Sequence, residues 1–377
     1  MVNKALKVRI YPNKTQQKKI DMIINCCRFI RNHMIERNRK LYNRRKKHLN
    51  YNAMQNLLPV MKKYLPWLAE ADSQALKYTC RQVNNAYQRF FKKLSGYPQF
   101  RSKRESIQSY TTTNAKAIHY EMGHVKIPCV GWVKARDIHD LPFGSKICQV
   151  TITRDHEQYY ASICYKVDED VMFIQIDENN VIGLDYKSDG LYMNSNGECC
   201  DMPSYYRKSQ DVIVKEQRRL FRKIGIRKGD KRSGNYIRQQ QRLFKKTRHV
   251  ANQRKDFLHK RSTAIAKQYD AVCVEDLNMK AMANIGFGNG KATLDNGYGM
   301  FLAMLDYKLR DRGKQLIRVD KWYPSSQICS CCGYKQKIPL HVRMYDCPQC
   351  GNCMDRDYNA AVNIRNKGLR ILREKTA

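Results

Sequence analysis

The sequence predicts a multidomain α+β chain: a β-barrel-like N-terminal domain with a helical insertion, then an α/β domain with a cysteine-rich ribbon inserted near its end. Three observations predict it. Alternation of apolar and polar residues at 4–11 ("ALKVRIYP") resumes in strand-like stretches only after residue 100, beyond two amphipathic helical patterns. Two short apolar runs, "VIGL" and "AVCV", each stop on an acid, Asp185 and Glu275. Six cysteines crowd into the 25 residues from Cys329 to Cys353. At 377 residues the chain is long enough for two or three cores.

The elements follow in order. After the strand at 4–11, Asn13 or Thr15 can cap a helix whose stripe is Ile20, Ile23, Ile24, Cys27 and Met34. A second helix follows Asp72, with Leu76, Cys80, Val83, Tyr87, Phe90 and Leu94 on its apolar face. Its other face carries Lys77, Arg81, Arg89, Lys92 and Lys93, a candidate phosphate surface. "SGYPQF" breaks it, and "HVKIP", "KICQVTITR" and "QYYASICYKV" read as strands, the last two joined by a turn at Asp155 to Glu157. Two short strands lie within "VIGLDYKSDGLYMNSNGE". Residues 207–268 are basic and helical, interrupted by "GDKRSG" at 229–234; apolar pairs from Tyr236/Ile237 to Ala264/Ile265 recur every seven residues. Arg242 and Lys246 lie between those pairs, among other bases. Ala271 to Val274 form a buried strand, followed by a helix near 297–312, a strand at 315–320, the cysteine cluster and a helix from Tyr358 to about Leu372.

Charge narrows the partner. Lys and Arg number 71 against 34 Asp and Glu, a net charge of +37 spread along the chain. Such a surface repels itself, and a polyanion relieves it with release of condensed counterions. Nucleic acid is the expected partner. "RRKK" at Arg44 to Lys47 reads as phosphate contact rather than a nuclear address. No apolar run approaches a spanning helix, no signal-like segment opens the chain, and a membrane is excluded as partner. The 15 cysteines make no even framework, so those outside the cluster read as small buried hydrophobes in a reducing cytosol.

The cluster contains two C-x2-C pairs, Cys329/Cys332 and Cys347/Cys350, separated by 14 residues and each trailed by glycine. Four thiolates in two pairs make a closed tetrahedral site for one structural Zn²⁺ with no open position for catalysis. Cys331 and Cys353 offer a different pairing. Asp185, Glu275, and Asp355 or Asp357 each end or open a short core element, so they can share one rim of a sheet. Convergent carboxylates suit Mg²⁺ or Mn²⁺, and two such ions about 4 Å apart can hydrolyse a phosphodiester.

"VIGLDYKSDGLY", "VCVEDLNMKAM" and "CMDRDYNAAVNI", with the knuckle before the third, resemble the RuvC-like nuclease motifs of the transposon-encoded TnpB family, related to type V CRISPR effectors. "KVRIYPNKTQQKKI" and "GYPQFRSKRESIQSY" resemble its N-terminal half, so the likeness covers nearly the whole chain. It implies an RNase H-like (RuvC) domain with catalytic, metal-binding Asp185, Glu275 and Asp357, and leaves Asp355 a supporting or capping role. No His-rich second nuclease appears between Asp185 and Glu275, so one site would cut both strands. The implied function is that of an RNA-guided DNA endonuclease cutting beside a short flanking motif, with a guide RNA and double-stranded DNA as partners. It would act as a monomer with one RNA, in the cytoplasm at the nucleoid of a prokaryote or in a eukaryotic nucleus. Lys77, Arg81, Arg89, Arg242 and Lys246 are the candidate nucleic-acid contacts. The alternatives are a nuclease-inactive or accessory DNA-binding protein of transposition, and an RNA-independent structure-specific nuclease. The expected domains are a β-barrel (wedge-like) domain at 1–12 and 96–175 and a helical recognition domain at 13–95. A RuvC-like domain at 176–324 and 354–377 follows, with a zinc ribbon inserted at 325–353.

Overall fold

In the computed structural model, β1 (Val2–Tyr11) enters the core through Val8 and Ile10. The structure describes residues 2–45, 47–103, 105, 107–136, 141–168, 173–224, 233–284, 290–339 and 341–376. The chain divides into two compact units, Met1–Asp170 and Val171–Ala377.

In the first unit, β1 leads into α1 (Lys14–Arg45), α2 (Tyr51–Tyr64) and α3 (Ser73–Phe91). Asn13, rather than Thr15, caps α1: its Oδ1 accepts from the Gln16 N–H at 2.9 Å, and Gln16 Oε1 accepts from the Asn13 N–H at 3.0 Å. The predicted stripe of α1 is buried. On α3 the buried stripe ends at Tyr87. Phe90 is half-buried, and Leu94 lies beyond the helix end, 66% exposed.

Seven strands complete an antiparallel sheet: β2 (Ile107–Thr112), β3 (His119–Glu121), β4 (His124–Ile127), β5 (Gly131–Ala135), β6 (Lys146–Asp155) and β7 (Gln158–Val167) with β1. The order is β2-β6-β7-β1-β5-β4-β3, so the N-terminal strand pairs with the resumed ones on both sides. The expected turn sits between β6 and β7, with His156 at φ 55°. The expected barrel is not closed: among the described residues β2 and β3 end the sheet unpaired with each other. Helices α1 and α3 pack against the edge strand β2.

The second unit is built on a five-stranded sheet of order β10-β9-β8-β11-β12. Its strands are β8 (Val181–Tyr186), β9 (Tyr192–Asn194), β10 (Cys199–Cys200), β11 (Ala271–Glu275) and β12 (Gln315–Val319); β8, β11 and β12 pair parallel, and β9 pairs antiparallel with both β8 and β10, so it alone runs against the other four. Between β10 and β11 lie α4 (Tyr205–Phe221) and α5 (Gly234–Gln268), packed on each other. Most of the predicted break at 229–234 lies outside the described residues, as does Lys46. The seven-residue stripe of α5 enters the core only from Val250 onward, through Leu258 and Ile265; Ile237 is 46% exposed. After β11 come α6 (Met279–Met282), α7 (Gly290–Asn296) and α8 (Tyr298–Arg310). The ribbon pairs β13 (Met344–Asp346) with β14 (Cys353–Asp355) and runs into α9 (Arg356–Thr376).

The sheet is buried on both faces. Ile182, Leu184, Val272 and Val274 pack with α5 and α8, whereas Val181, Ala271, Cys273 and Ile317 pack with Ile364 and Leu372 of α9. Among the described residues no helix is long and apolar enough to cross a membrane.

Candidate functional site

Strand alternation decides where the first two acids point. Val181, Gly183 and Asp185 share the α9 face of β8, and Ala271, Cys273 and Glu275 share it on β11. The parallel register pairs Gly183 with Cys273 and Leu184 with Val274, so Asp185 and Glu275 follow side by side at the C-terminal ends of neighbouring strands.

Close approach of α9 supplies the third acid. A Cβ on Gly183 would stand 2.2 Å from the Ala361 carbonyl oxygen and 2.7 Å from the Arg365 nitrogen, so the helix backbone lies directly on this glycine. Gly368 makes the same allowance for Cys273, whose Sγ would be 2.2 Å from an added Cβ. From Gly183, Asp185 is two strand residues along, ~6.6 Å. From Ala361, Asp357 is four helix residues back on the same face, ~6 Å. The two displacements match and bring Asp357 toward Asp185.

The electrostatics agree. Asp185 keeps some solvent contact at the rim, but burial of its carboxyl, and then the charges of Glu275 and Asp357, push it well above the usual carboxylate range. Burial also raises Glu275, opposed by a hydrogen bond from Ser325 Oγ to its Oε1 at 2.5 Å. Asp357 faces Arg356 at 3.7 Å and Arg343 at 3.8 Å. Asp355 does something else: its Oδ1 accepts the backbone N–H of Asp357 at 2.9 Å and of Tyr358 at 3.0 Å, satisfying donors of the first turn of α9. Oxygen-only donors that repel one another at one rim fit a hard divalent cation. Their oxygens are more widely spread than the cysteine sulfurs. Among the described residues, only Cys329, Cys332, Cys347 and Cys350 place three or more potential ligand atoms within 4.8 Å of one another.

That cysteine set is formed by two similar turns. The Gly333 N–H donates to the Cys329 carbonyl and the Cys329 N–H to the Tyr334 carbonyl; Gly351, Cys347 and Asn352 repeat the pattern. Both glycines have positive φ, 80° and 68°. Burial raises the Cys329 thiol, but N–H groups of Cys332 and Cys331 and the neighbouring thiols outweigh it and hold it at about 6. Cys331 and Cys353 are exposed and outside the set.

Sequence reasoning missed the bonds that join this knuckle to the acids. Asn359 donates to the Ile328 carbonyl at 2.7 Å and accepts from the Ser330 N–H at 2.9 Å. Asn363 donates to the carbonyls of Ser325 at 2.8 Å and Ile328 at 2.6 Å. Ser325 in turn holds Glu275. "DYNAAVN", with two asparagines four residues apart on one helix face, was the available signal.

The predicted nucleic-acid contacts are scattered. Arg81, Arg89, Arg242 and Lys246 are exposed, and Lys77 is half-buried. The Arg81 guanidinium lies 5.3 Å from the Tyr51 ring centroid. Lys77, Arg81 and Arg89 lie on α3 in the first unit, and Arg242 and Lys246 on α5 in the second.

Three family models match the chain: "Cas12f1-like, TNB domain" over 298–364, "Probable transposase" over 162–286, and "Helix-turn-helix domain" over 1–47. The described part of that last stretch is one strand and one continuous helix. A Streptomyces pristinaespiralis protein named "Putative RNA-guided DNA endonuclease" is 29% identical over 98% of this chain and 90% of its own. An Escherichia coli K12 protein named "Putative RNA-guided DNA endonuclease InsQ" is 26% identical over 98% of this chain and 93% of its own. A "TnpB-like protein", L79 of Acanthamoeba polyphaga mimivirus, is 31% identical over 34% of this chain and 25% of its own. Among solved structures, Cas12f1 in a complex with sgRNA and target DNA superposes with a TM-score of 0.60 at 11% identity, over 97% of this chain and 99% of that one. This last likeness is one of fold.

Proposed function

We propose that this chain, a TnpB-like protein by its family models and curated relatives, is a transposon-encoded RNA-guided DNA endonuclease with a RuvC-like site. One observation carries the mechanism: Asp185 is pushed up by burial and by the charges of Glu275 and Asp357. Acids from β11 and α9 both act on the one at the end of β8. The sheet order, with β9 alone running against β10, β8, β11 and β12, supports the RNase H-like reading.

Asp185, Glu275 and Asp357 would hold Mg²⁺ or Mn²⁺. Divalent cations in such a site activate a water and stabilise the leaving oxygen of a phosphodiester. Ser325 fixes Oε1 of Glu275 and so orients the carboxylate. Asp355 orders the start of α9 and with it Asp357. Arg343 and Arg356 hold Asp357 at the rim before cations enter. Cys329, Cys332, Cys347 and Cys350 would take one Zn²⁺ as a structural site, and 325–353 is the zinc ribbon.

Guide RNA and target DNA are the partners, engaged as a monomer with one RNA. The helical segment 13–95 and the sheet segments 1–12 and 96–175 would serve recognition through Lys77, Arg81 and Arg89. Arg242 and Lys246, on α5, would give the nuclease domain at 176–324 and 354–377 contacts of its own. Base pairing reads the target sequence, so the protein needs no base-reading motif beyond the flanking element.

The test is purification with the RNA encoded beside the gene, followed by cleavage of duplexes with a randomised flank. Guided cutting is expected to require RNA and a divalent cation. Asp185→Ala should lose it by about a thousandfold or more. Equal cutting by RNA-free protein overturns the guided reading, and full activity of Asp185→Ala overturns the site.

A further inference from the structure

The first unit contains two adjoining cavities that share Arg28. One, about 240 Å³, is walled by Arg28 and Arg31 of α1, Gln82 of α3, Arg101, Gln108 and Tyr110, with Glu105 the one acid among the described residues that line it. The other, about 390 Å³, is lined by Arg28, Phe29, Asn32, His33, Glu36 and Phe100.

The first holds polar groups that the chain itself leaves unpaired. The Nε of Arg28, the Nε of Arg31 and the hydroxyl of Tyr110 are buried without a hydrogen-bond partner. Three guanidinium groups share the cavity with that single carboxylate. Burial, and then the Arg101 charge, lower the pKa of Arg31, a sign of cations crowded without enough anion. An anion with several acceptor oxygens would satisfy both charge and donors.

The second cavity has a different character. Phe29 and His33 stack at 5.7 Å, and Trp67 meets Phe29 edge-on at 5.0 Å. Phe100 is 47% exposed, with the Arg39 guanidinium 5.8 Å from its ring. The segment carrying Phe100 is pinned to α1, because Asn32 exchanges two hydrogen bonds with the backbone of Arg101, at 3.0 and 2.9 Å. Arg28 is set between the cavities by its bond to Asn25 at 2.9 Å. Both walls therefore exist before any ligand arrives.

We propose that the paired cavities form a nucleotide subsite, with a phosphodiester seated among Arg28, Arg31 and Arg101 and its base stacked on Phe29, His33 or Phe100. A single strand is required, since a base held in a duplex cannot reach an aromatic wall. The subsite rests on the nucleic-acid partnership proposed above and does not depend on the nuclease chemistry.

The full-length protein is irradiated with short oligouridylate and oligothymidylate probes, and the adducts are mapped by mass spectrometry. Adducts are expected at Phe100 or Phe29, and the probe that gives more of them identifies the strand as RNA or DNA. Phe100→Ala should weaken that probe's binding by roughly 5- to 100-fold. Arg31→Ala should reduce the slope of log affinity against log salt by about one, with Arg31→Lys keeping it. Because Phe100 is already exposed, its replacement should leave the melting temperature unchanged, so the proposal stays testable even if Arg31→Ala folds poorly. Adducts confined to other segments, together with wild-type binding by Phe100→Ala at every salt concentration, overturn the subsite. Wild-type protein that binds neither probe overturns the nucleic-acid reading as well. Loss of cleavage in Asp185→Ala with the Phe100 adduct retained separates the subsite from the catalytic centre.

Discussion

Ser325 shows what a single hydroxyl can decide. Its hydrogen bond to Glu275 spans 50 residues of sequence, and its own carbonyl accepts from Asn363. Removing it should let Glu275 rotate while the fold stays intact. Ser325→Ala is expected to lower guided cleavage by about 10- to 100-fold, in line with a lost hydrogen bond to a charged group. Zinc content and RNA binding should not change, and Ser325→Thr should restore most of the rate. Cleavage assays beside metal analysis check this. Asp185 and Glu275 were legible, because each closes an apolar run at a strand end, whereas Asp357 opens α9 and follows no such run. Ser325 was not, since nothing in "YPSSQ" names a partner so far away. Asp355 was legible only as one of two neighbouring acids; its bonds to the N–H groups of Asp357 and Tyr358 give it a capping role.

The seat of α9 on the sheet depends on Gly183 of β8. Replacing Gly183 with alanine would drive a methyl into the helix backbone at Ala361 and Arg365. Gly183→Ala should destabilise the second unit by about 1–3 kcal/mol and displace Asp357, read by thermal unfolding and cleavage. Gly234→Ala, whose added carbon meets nothing within 4 Å, should change stability by less than about 1 kcal/mol. The knuckle makes a separate prediction: Cys350→Ser should lose bound zinc, whereas Cys353→Ser should keep it, measured by atomic absorption. Long amphipathic helices such as α1 and α3 were readable from periodicity. Helix α2 was not, because Pro59 sits inside it and argues against a helix, although Asn50 caps it through the Ala53 N–H at 2.9 Å. Leu94 continued the spacing of α3 on paper, but the helix ends at Phe91 and Lys93 turns the chain at φ 57°.

For the molecule as a whole, charge was the most readable property and strand closure the least. Strand pairing over long separations leaves no local trace, so a run of strands around a helical insert reads equally well as a barrel or as an open sheet. The net charge of +37 has a direct consequence for affinity. Binding to the guide RNA should fall roughly a thousandfold or more between about 50 and 200 mM salt if six or more phosphates are contacted. A filter-binding titration across salt tests this, and a flat response would mean that the bases do not engage the backbone.

The anchoring of the ribbon has a use in redesign. Its hold on α9 runs through Ser325, Ile328 and Ser330 at its start and through Asp355 where it returns. The stretch between those anchors makes a natural grafting cassette. A shorter, metal-free hairpin spliced in beyond Ser330, with Asn359 and Asn363 left in place, would test whether the nuclease needs the ion or only a clasp of the right span.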